Sequence, residues 1–178
     1  VIGSDKDGRM AVGAEENIKW FRRKFNVSNH VTSKIFPKNA TEITKEDLAD
    51  PGNDNASAAG RLAIATEPYL GTALSTFPAQ GFLEKMIGEL SSLYMEFFKN
   101  LAGIIATGTT IVFIFPYWKK PCAGSSRDDA IRSSDQVIDK IEALGYSRTD
   151  FTPLKSTSLL YDRPDQVVGR EIVRFIKN

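Results

Sequence analysis

A short and nearly unbroken apolar run, Arg61–Thr66, restricts the architecture more than any other segment of the chain. A strand that is apolar at successive positions needs cover on both faces, as in a parallel sheet. A second such run, Thr109–Phe115, is rich in β-branched and aromatic residues. Between the two runs, apolar residues recur at the spacing of one helical face: Phe82, Met86, Leu90, Leu93, Phe97 and Leu101. Alternating strands and helices predict an α/β fold.

The amino-terminal part repeats this order of strand and helix. Val1–Ser4 predicts a strand that ends at Asp5, and Asp7 leads into an amphipathic helix. The expected inward face of that helix consists of Met10, Ala14, Ile18, Phe21 and Phe25. A carboxylate at a strand end suits the two hydroxyl groups of a ribose, which is one interpretation of Asp5. The other interpretation is that Asp5 or Asp7 caps the helix.

A second polar strand end follows in the next segment. Val31–Phe36 predicts a strand closed by Pro37, and Asn39 comes directly after it in a turn. The amide of Asn39 offers a donor and an acceptor to an adenine edge, although turn residues of this type are also common. Thr44, with Asp47 in the capping-box position, predicts the start of a helix. The polar stretch 50–60 predicts an exposed loop.

The carboxyl-terminal part predicts a helix and two strands. Ser134 is the expected cap of a helix that runs to Leu144, and Gly145 is its expected stop. The strands are Ser158–Tyr161 and Val167–Ile176, joined by a turn over 162–165. Residues 121–126 predict a loop.

Composition excludes several classes of protein. The 178 residues include 23 Lys and Arg and 22 Asp and Glu, so the net charge of +1 gives no strongly basic surface. A single histidine, His30, argues against a histidine-rich metal site, and a single cysteine, Cys122, fits a reducing compartment. The longest apolar stretch, Ile111–Phe115, is far shorter than the ~20 residues that span a bilayer. We therefore expect a cytoplasmic protein with no membrane contact and no metal.

The segment Glu67-Pro68-Tyr69 carries the most specific chemistry. Ligands bind at the carboxyl ends of strands in open parallel sheets. Proline fixes the backbone and removes a donor, so a carboxylate and a backbone carbonyl can converge as acceptors beside an aromatic ring. Such a set suits a flipped-out base with an exocyclic amine, which stacks on the ring. The alternative interpretation is a strand terminator followed by a core tyrosine.

Four segments, in this order, resemble one family. Val1–Asn17 resembles the pattern GSDxDxxMxxxAxxN, and Asn39 with Ala40 falls where the family has an Asp-Ala pair. Thr66–Gly71 falls where it has Asp/Asn-Pro-Pro-Tyr/Phe, and Tyr161–Ile172 resembles its closing hairpin. The family is that of the Rossmann-type S-adenosylmethionine-dependent methyltransferases. Within it, the chain is most similar to the THUMP-associated methylases that modify the exocyclic amine of a tRNA guanosine.

The resemblance implies a fold, a cofactor and a set of site residues. The fold would be a Rossmann-like class I methyltransferase sheet, mostly parallel, with a C-terminal antiparallel hairpin. Residues 1–178 would form part of the catalytic domain, acting on tRNA held by a module outside this chain. The residues implied to bind S-adenosyl-L-methionine are Asp5, Lys6, Asn39, Ala40 and Thr66. The implied catalytic residues are Glu67, Pro68 and Tyr69, with Tyr69, Leu70 and Gly71 against the substrate.

The chain departs from the family pattern at three places. Glu67 replaces the usual acid or amide, so a longer carboxylate must reach the same amine, and Asn39 replaces an acid. The family's first strand and its Gly-rich loop would lie before Val1. We therefore expect the chain to be the carboxyl-terminal part of a longer protein, with a strand between those that end at Asp5 and Glu67. In the alternative, the chain is complete and those two strands pair directly.

Two other functions remain open from the sequence. Asp5 would equally bind the ribose of NAD in a Rossmann oxidoreductase, but Glu67-Pro68-Tyr69 and the closing hairpin favour a methyltransferase. The second alternative is an inactive methyltransferase-like domain that serves as a scaffold, which the change at Asn39 favours. Five basic residues of the carboxyl-terminal half, interleaved with Asp162, Asp165 and Glu171, predict a solvated or salt-bridged face rather than an RNA patch. They are Lys119, Lys120, Arg163, Arg170 and Arg174.

Overall fold

The computed structural model describes residues 1–27, 32–49, 62–120, 130–163 and 166–178. The chain divides into an amino-terminal unit, Val1–Ala58, and a carboxyl-terminal unit, Ala59–Asn178. His30, Cys122 and the predicted loops 50–60 and 121–126 lie outside the described residues, as does part of the predicted turn 162–165.

The amino-terminal unit is built as strand, helix and strand. β1 (Ile2–Asp5) is followed by α1 (Gly8–Phe25) and β2 (Lys34–Pro37). The two strands pair in parallel, with Asp5 opposite Pro37. A short 3-10 helix, Ala40–Glu42, follows β2. The predicted order of strand, helix and strand is confirmed.

Helix α1 begins and ends at well-defined caps. The side chain of Asp7 accepts a hydrogen bond from the backbone N–H of Arg9, which makes Asp7 the N-cap. Asn26 ends the helix in the left-handed conformation, with φ of 48°, and its N–H donates to the Arg22 carbonyl. The last turn carries Arg22, Arg23 and Lys24, and positive charge there suits the helix dipole.

Most of the residues that were predicted to form the inward face of α1 are exposed in this structure. Met10, Phe21 and Phe25 are exposed, and only Ala11 is buried among the helix residues. The exposed rings pack on each other instead: Phe21 lies 4.8 Å from Phe25, measured between centroids. The spacing predicted the helix correctly, but it did not predict how much of its apolar face would be buried.

The predicted helix start at Thr44 is a turn. The reciprocal bonds of a capping box are present, since the Thr44 N–H donates to the Asp47 carboxylate at 2.9 Å and the Asp47 N–H donates to the Thr44 hydroxyl at 3.4 Å. Residues 45–48 nevertheless form a turn without a helix. A capping motif closes a single turn here because no apolar periodic segment follows it.

The carboxyl-terminal unit contains a six-stranded sheet and two α-helices. Its strands follow the order β3-β4-β8-β6, with β5 paired to β4 and β7 paired to β8. The helices are α2 (Gln80–Ala102) and α3 (Ile138–Ala143). The strands are β3 (Ala63–Thr66), β4 (Thr110–Trp118), β5 (Ile131–Arg132), β6 (Tyr146–Thr149), β7 (Ser158–Tyr161) and β8 (Val168–Lys177).

The strand directions fit the Rossmann-like arrangement that the motifs imply. β3 pairs with β4 in parallel. β8 is antiparallel to both β4 and β6, so β4 and β6 run in the same direction. Three of the four strands along the path therefore share one direction, and β7 forms the antiparallel hairpin with β8. The α/β class and the closing hairpin are confirmed, whereas β5 and β6 were not predicted.

The core of this unit is an aromatic cluster between α2 and one face of the sheet. Phe98 is fully buried, and its ring lies 5.1 Å from Phe113, 5.3 Å from Phe175 and 5.2 Å from Tyr146. The Tyr146 hydroxyl donates to the Phe98 carbonyl at 2.9 Å. Burial raises the pKa of Tyr146 to about 12.

The opposite face of the sheet has less cover than the sequence predicted. Ala63 and Ala65 of β3 are exposed, while Ile64 and Thr66, which point the other way, are half-buried. On β4, Ile111 and Phe113 are buried, while Val112 and Ile114, which point the other way, are half-buried. An apolar run therefore marks the strand correctly but does not show that both of its faces are packed.

The predicted cap at Ser134 is also wrong. Ser134 begins a 3-10 turn before α3, and its hydroxyl donates to the carboxylate of Glu171, which is buried. The guanidinium of Arg132 lies 3.3 Å from the same carboxylate. This set satisfies a buried charge and joins β5 to β8. The predicted stop at Gly145 is confirmed by its φ of 86°.

Candidate functional site

The segment Glu67–Gly71 leaves β3 at the carboxyl end of the strand. Thr66 is the last strand residue and lies opposite Phe113. At the far end, Gly71 has a φ of 96°, and a Cβ atom there would lie 2.7 Å from the sulfur of Met86 on α2. Only glycine fits this combination of positive φ and close approach. The segment is therefore held in one conformation against α2.

The backbone of Tyr69 is held by a hydrogen bond from α2. The hydroxyl of Tyr94, on α2, donates to the Tyr69 carbonyl at 2.8 Å. Tyr94 is fully buried, and burial raises its pKa, so the hydroxyl stays a donor. The Tyr69 side chain is 56% exposed, so it is not the core tyrosine of the alternative interpretation.

The Pro68 carbonyl is available as an acceptor. Among the residues that the structure describes, none donates a hydrogen bond to it. Pro68 itself lacks an N–H, so the backbone at this position offers only an acceptor. The Pro68 carbonyl can therefore serve as one of the acceptor groups that the motif predicts.

A cleft of about 180 Å³ lies beside the exposed ring of Tyr69. Phe82, at the start of α2, is 49% exposed and forms part of its wall, although the sequence placed Phe82 in the core. The rest of the lining is apolar apart from Thr72 and the pair Lys85 and Glu89, whose charged groups lie 3.8 Å apart. The lining suits a flat, largely apolar ligand.

The carboxylate of Glu67 has a partner that the sequence did not predict. The Nε atom of Arg170, on β8, donates to Glu67 Oε1 at 2.6 Å. Both side chains are partly exposed. The sequence predicted that Arg170 would be salt-bridged, but with neighbouring acids such as Asp162. Asp162 instead pairs with Lys119 at 3.2 Å.

In the amino-terminal unit, Asp5 and Asp7 have different roles. Asp7 caps α1 and forms a salt bridge with Arg9 at 2.7 Å, so the capping interpretation holds for Asp7. Asp5 is exposed at the end of β1, and its Oδ1 accepts a hydrogen bond from the Asp7 N–H at 2.8 Å. No described residue bonds to the other carboxylate oxygen of Asp5. Lys6 follows and is exposed.

Asn39 and Ala40 lie at the same end of this small sheet as Asp5. The strands are parallel, and the Lys38 N–H donates to the Asp5 carbonyl at 2.9 Å, so both strand ends meet at one edge. The Asn39 side chain caps the 3-10 helix that begins at Ala40, accepting from the Thr41 N–H at 3.3 Å. The turn interpretation of Asn39 therefore accounts for its oxygen. Its amide nitrogen remains a possible donor to a ligand.

The structure brings the sequence-predicted residues together in two groups. Asp5, Lys6, Asn39 and Ala40 share one strand edge in the amino-terminal unit. Thr66, Glu67, Pro68, Tyr69, Leu70 and Gly71 form one rigid segment in the carboxyl-terminal unit. Sequence reasoning missed Arg170, Tyr94 and Phe82 as parts of the second group.

No described helix is both long and apolar enough to cross a membrane. Within the described ranges, no three His, Cys, Asp or Glu side chains cluster in a way that would hold a metal ion.

Comparisons with known proteins give a distant likeness to solved structures. No family model matches the sequence, and no curated protein matches it significantly. Among solved structures, the chain is similar to 1,6-didemethyltoxoflavin-N1-methyltransferase from Burkholderia thailandensis, solved with 1,6-didemethyltoxoflavin and S-adenosylhomocysteine. The match has 12% identity and a TM-score of 0.43, and covers 99% of this chain and 70% of that one. Nothing about this chain's substrate follows from so distant a likeness.

Proposed function

We propose that this chain is a catalytic part of an S-adenosylmethionine-dependent methyltransferase that modifies the exocyclic amine of a nucleobase, with guanosine in tRNA as the first substrate to test. One observation carries the proposal. Three consecutive residues after β3 carry a carboxylate, at Glu67, a backbone carbonyl to which no described residue donates, at Pro68, and an exposed ring, at Tyr69.

The acceptors and the ring match the chemistry of an aromatic amine. Both hydrogens of such an amine need acceptors, and Glu67 and the Pro68 carbonyl provide them. Holding both hydrogens favours a pyramidal nitrogen, whose lone pair is then free to attack. The ring of Tyr69 offers a stacking face, worth roughly 1–3 kcal/mol per base. The segment needs no rearrangement to present these groups, because its backbone is already fixed.

The residues of the amino-terminal unit fit the nucleoside part of the cofactor. Asp5 has a carboxylate oxygen that no described residue occupies, and a ribose diol donates to such an oxygen. Asn39 keeps an amide N–H₂ for the adenine, since only its oxygen is used by the cap. Bound S-adenosylmethionine supplies a methyl group on a positively charged sulfur.

S-adenosylmethionine bound here would supply an electrophilic methyl group: the amine nitrogen would bond to its carbon while the electron pair of the carbon–sulfur bond leaves on sulfur, which becomes neutral. The carboxylate of Glu67 would accept the proton that the methylated nitrogen releases. Catalysis on this scheme is orientation plus electrostatic complementarity to the transition state.

The decisive experiment is methyl transfer by the full-length protein to an unmodified tRNA transcript, with isotope-labelled S-adenosylmethionine and mass spectrometry of the nucleosides. We expect N2-methylguanosine from the wild type. Glu67→Gln should lower turnover by about 10²-fold, because a neutral amide replaces the charged acceptor. Pro68→Ala keeps the backbone carbonyl but frees the backbone that holds it and adds an N–H, so it should lower turnover by misplacing that acceptor. Glu84→Gln, an exposed change on α2, is the matched control and should leave turnover unchanged.

Two outcomes would contradict the proposal. Full turnover in both Glu67→Gln and Pro68→Ala would remove these residues from the reaction. A wild type that binds S-adenosylmethionine in a titration but methylates no nucleoside would favour the scaffold alternative. Binding of NAD in place of S-adenosylmethionine would favour the oxidoreductase.

A further inference from the structure

The ion pair between Glu67 and Arg170 joins two parts of the sheet that are not adjacent. The residues are 103 positions apart in the sequence, and their side chains meet at 2.6 Å between Nε and Oε1. Glu67 follows β3, and Arg170 lies in β8, which is separated from β3 by β4. The arginine side chain therefore reaches across β4 to the end of β3.

The backbone of Arg170 is fixed on both sides. It lies opposite Pro116 in β4 and opposite Tyr161 in β7, so it occupies an interior position of the sheet. Its neighbour Glu171 is buried on the other face, where Ser134 and Arg132 bond to it. Because successive strand residues point to opposite faces, the buried Glu171 fixes the face on which Arg170 emerges.

The geometry leaves one half of the Glu67 carboxylate for a ligand. Arg170 occupies Oε1, and no described residue bonds to Oε2. A guanidinium N–H has a fixed direction in the plane of the group, so it sets the orientation of the carboxylate as well as its place. An aspartate at this position is one methylene shorter, so its carboxylate could not reach both Arg170 and the ligand.

We infer that Arg170 is a positioning residue, which holds the carboxylate of Glu67 so that its free oxygen accepts from the substrate amine. This inference rests on the proposed function. It assigns a purpose to the closing hairpin, whose strand β8 carries the arginine, and it explains why a glutamate serves in this chain where a shorter residue stands in the family pattern. A lone, partly exposed ion pair adds little to stability, so the role is one of orientation.

The experiment compares variants of Arg170 in the full-length protein, with kcat and KM measured on the tRNA transcript. Arg170→Ala should lower kcat by about 10- to 100-fold, as expected for a misplacement on the order of 1 Å, and should leave KM within about twofold. Arg170→Lys should retain part of the activity, because an ammonium group still donates but without a fixed direction. Millimolar ethylguanidinium should restore activity to Arg170→Ala.

Arg174→Ala is the matched control. Arg174 lies four residues, or two repeats of the pleat, further along β8 on the same face, and it donates to the Asp150 carbonyl at 3.3 Å. Its replacement should leave kcat unchanged. A readout that does not depend on activity is the Nε–H resonance of Arg170 in ¹⁵N-labelled protein, identified by its loss in Arg170→Lys. That resonance should move in Glu67→Gln and not in Glu84→Gln.

Each result decides between the inference and the proposed function. If the wild type is active and Arg170→Ala leaves kcat unchanged, the inference alone is overturned. The same holds if the Nε–H resonance of Arg170 does not shift in Glu67→Gln. Loss of activity that follows a loss of thermal stability, with no recovery in ethylguanidinium, identifies a structural role and also overturns it. A wild type that methylates nothing overturns the proposed function, and the positioning role with it.

Discussion

The two units contain similar amphipathic helices but bury them to very different extents. On α2, eight residues are buried, including Met86, Leu90 and Phe98. On α1, only Ala11 is buried, and Trp20 and Phe21 are about half exposed. Both segments show the same spacing of apolar residues in the sequence. Periodicity therefore predicts a helix, while burial depends on what the rest of the unit can place against it.

The difference follows from the amount of sheet in each unit. The 18 residues of α1 extend about 27 Å, whereas strands of four residues extend about 13 Å. Two such strands offer too little surface for the whole helix. In the carboxyl-terminal unit, β4 has 9 residues and β8 has 10, and they carry aromatic side chains toward α2. The rigid segment of the candidate site is anchored to this well-packed unit.

The largest predicted effect tests this contrast in packing. Phe98→Ala, in the aromatic cluster, should destabilise the carboxyl-terminal unit by about 3–5 kcal/mol, because it removes a fully buried ring and leaves a cavity. The matched change Phe21→Ala should cost less than about 1 kcal/mol, because that ring is 48% exposed.

Phe98→Ala is measured by urea unfolding in a Trp20→Phe background, where the fluorescence of Trp118, fully buried in the carboxyl-terminal unit, reports that unit alone. Phe21→Ala is measured over the same urea series by hydrogen exchange of peptides from α1. Equal losses of stability for the two phenylalanines would show that α1 is packed in solution, and the contrast between the units would disappear.

A smaller effect is predicted for the cap of α1. Asp7→Ala should destabilise the helix by about 1 kcal/mol, because the N–H of Arg9 loses its acceptor. Asp5→Asn should have little effect on the helix, because the new side chain still offers an oxygen to the Asp7 N–H. Hydrogen exchange of peptides from α1, read by mass spectrometry, measures both changes. Equal acceleration of exchange by both variants would contradict the division of roles between Asp5 and Asp7.

Much of the fold follows from local sequence patterns. The caps Asp7 and Gly145, the strand at Ser158–Tyr161 and the acceptor motif after β3 are all determined by residues within a few positions of one another. β6 was missed because its sequence, Tyr-Ser-Arg-Thr, has a single large apolar residue and lacks the apolar run of a buried strand.

The parts that escaped prediction depend on contacts between distant segments. Ser134 has the sequence pattern of a helix cap, yet its hydroxyl donates to the carboxylate of Glu171, 37 positions away. Glu67 and Arg170 are 103 positions apart, and no local pattern links them. The exposure of Phe82 depends on how the segment after β3 crosses α2. Such pairings are set by tertiary packing, which a single sequence does not display.

The smallest predicted effect concerns the charged turn of the amino-terminal unit. Lys38 lies 2.5 Å from the Asp47 carboxylate, which also accepts from the Thr44 N–H, and these bonds lower the pKa of Asp47 from 3.8 to about 2. A carboxyl group with a depressed pKa stabilises the folded state above its unfolded pKa, and that stability is lost as the pH falls from about 4 toward 2. Asp47→Asn keeps an oxygen for Thr44 but removes the charge.

The variant should therefore be less stable than the wild type at pH 7, by a small margin because the pair is near the surface. The two stability curves should converge as the pH approaches 2. Hydrogen exchange of peptides from β2 and the turn at 45–48 measures the difference, while the fluorescence of Trp118 should not distinguish the two proteins. A constant gap between the curves from pH 7 to pH 2 would show that the charge of Asp47 contributes nothing. The turn would then be held by uncharged bonds to Asp47 and by the bonds that Lys34 donates to the Glu46 and Asp47 carbonyls, and the amino-terminal unit would depend less on its surface charges than the lowered pKa of Asp47 indicates.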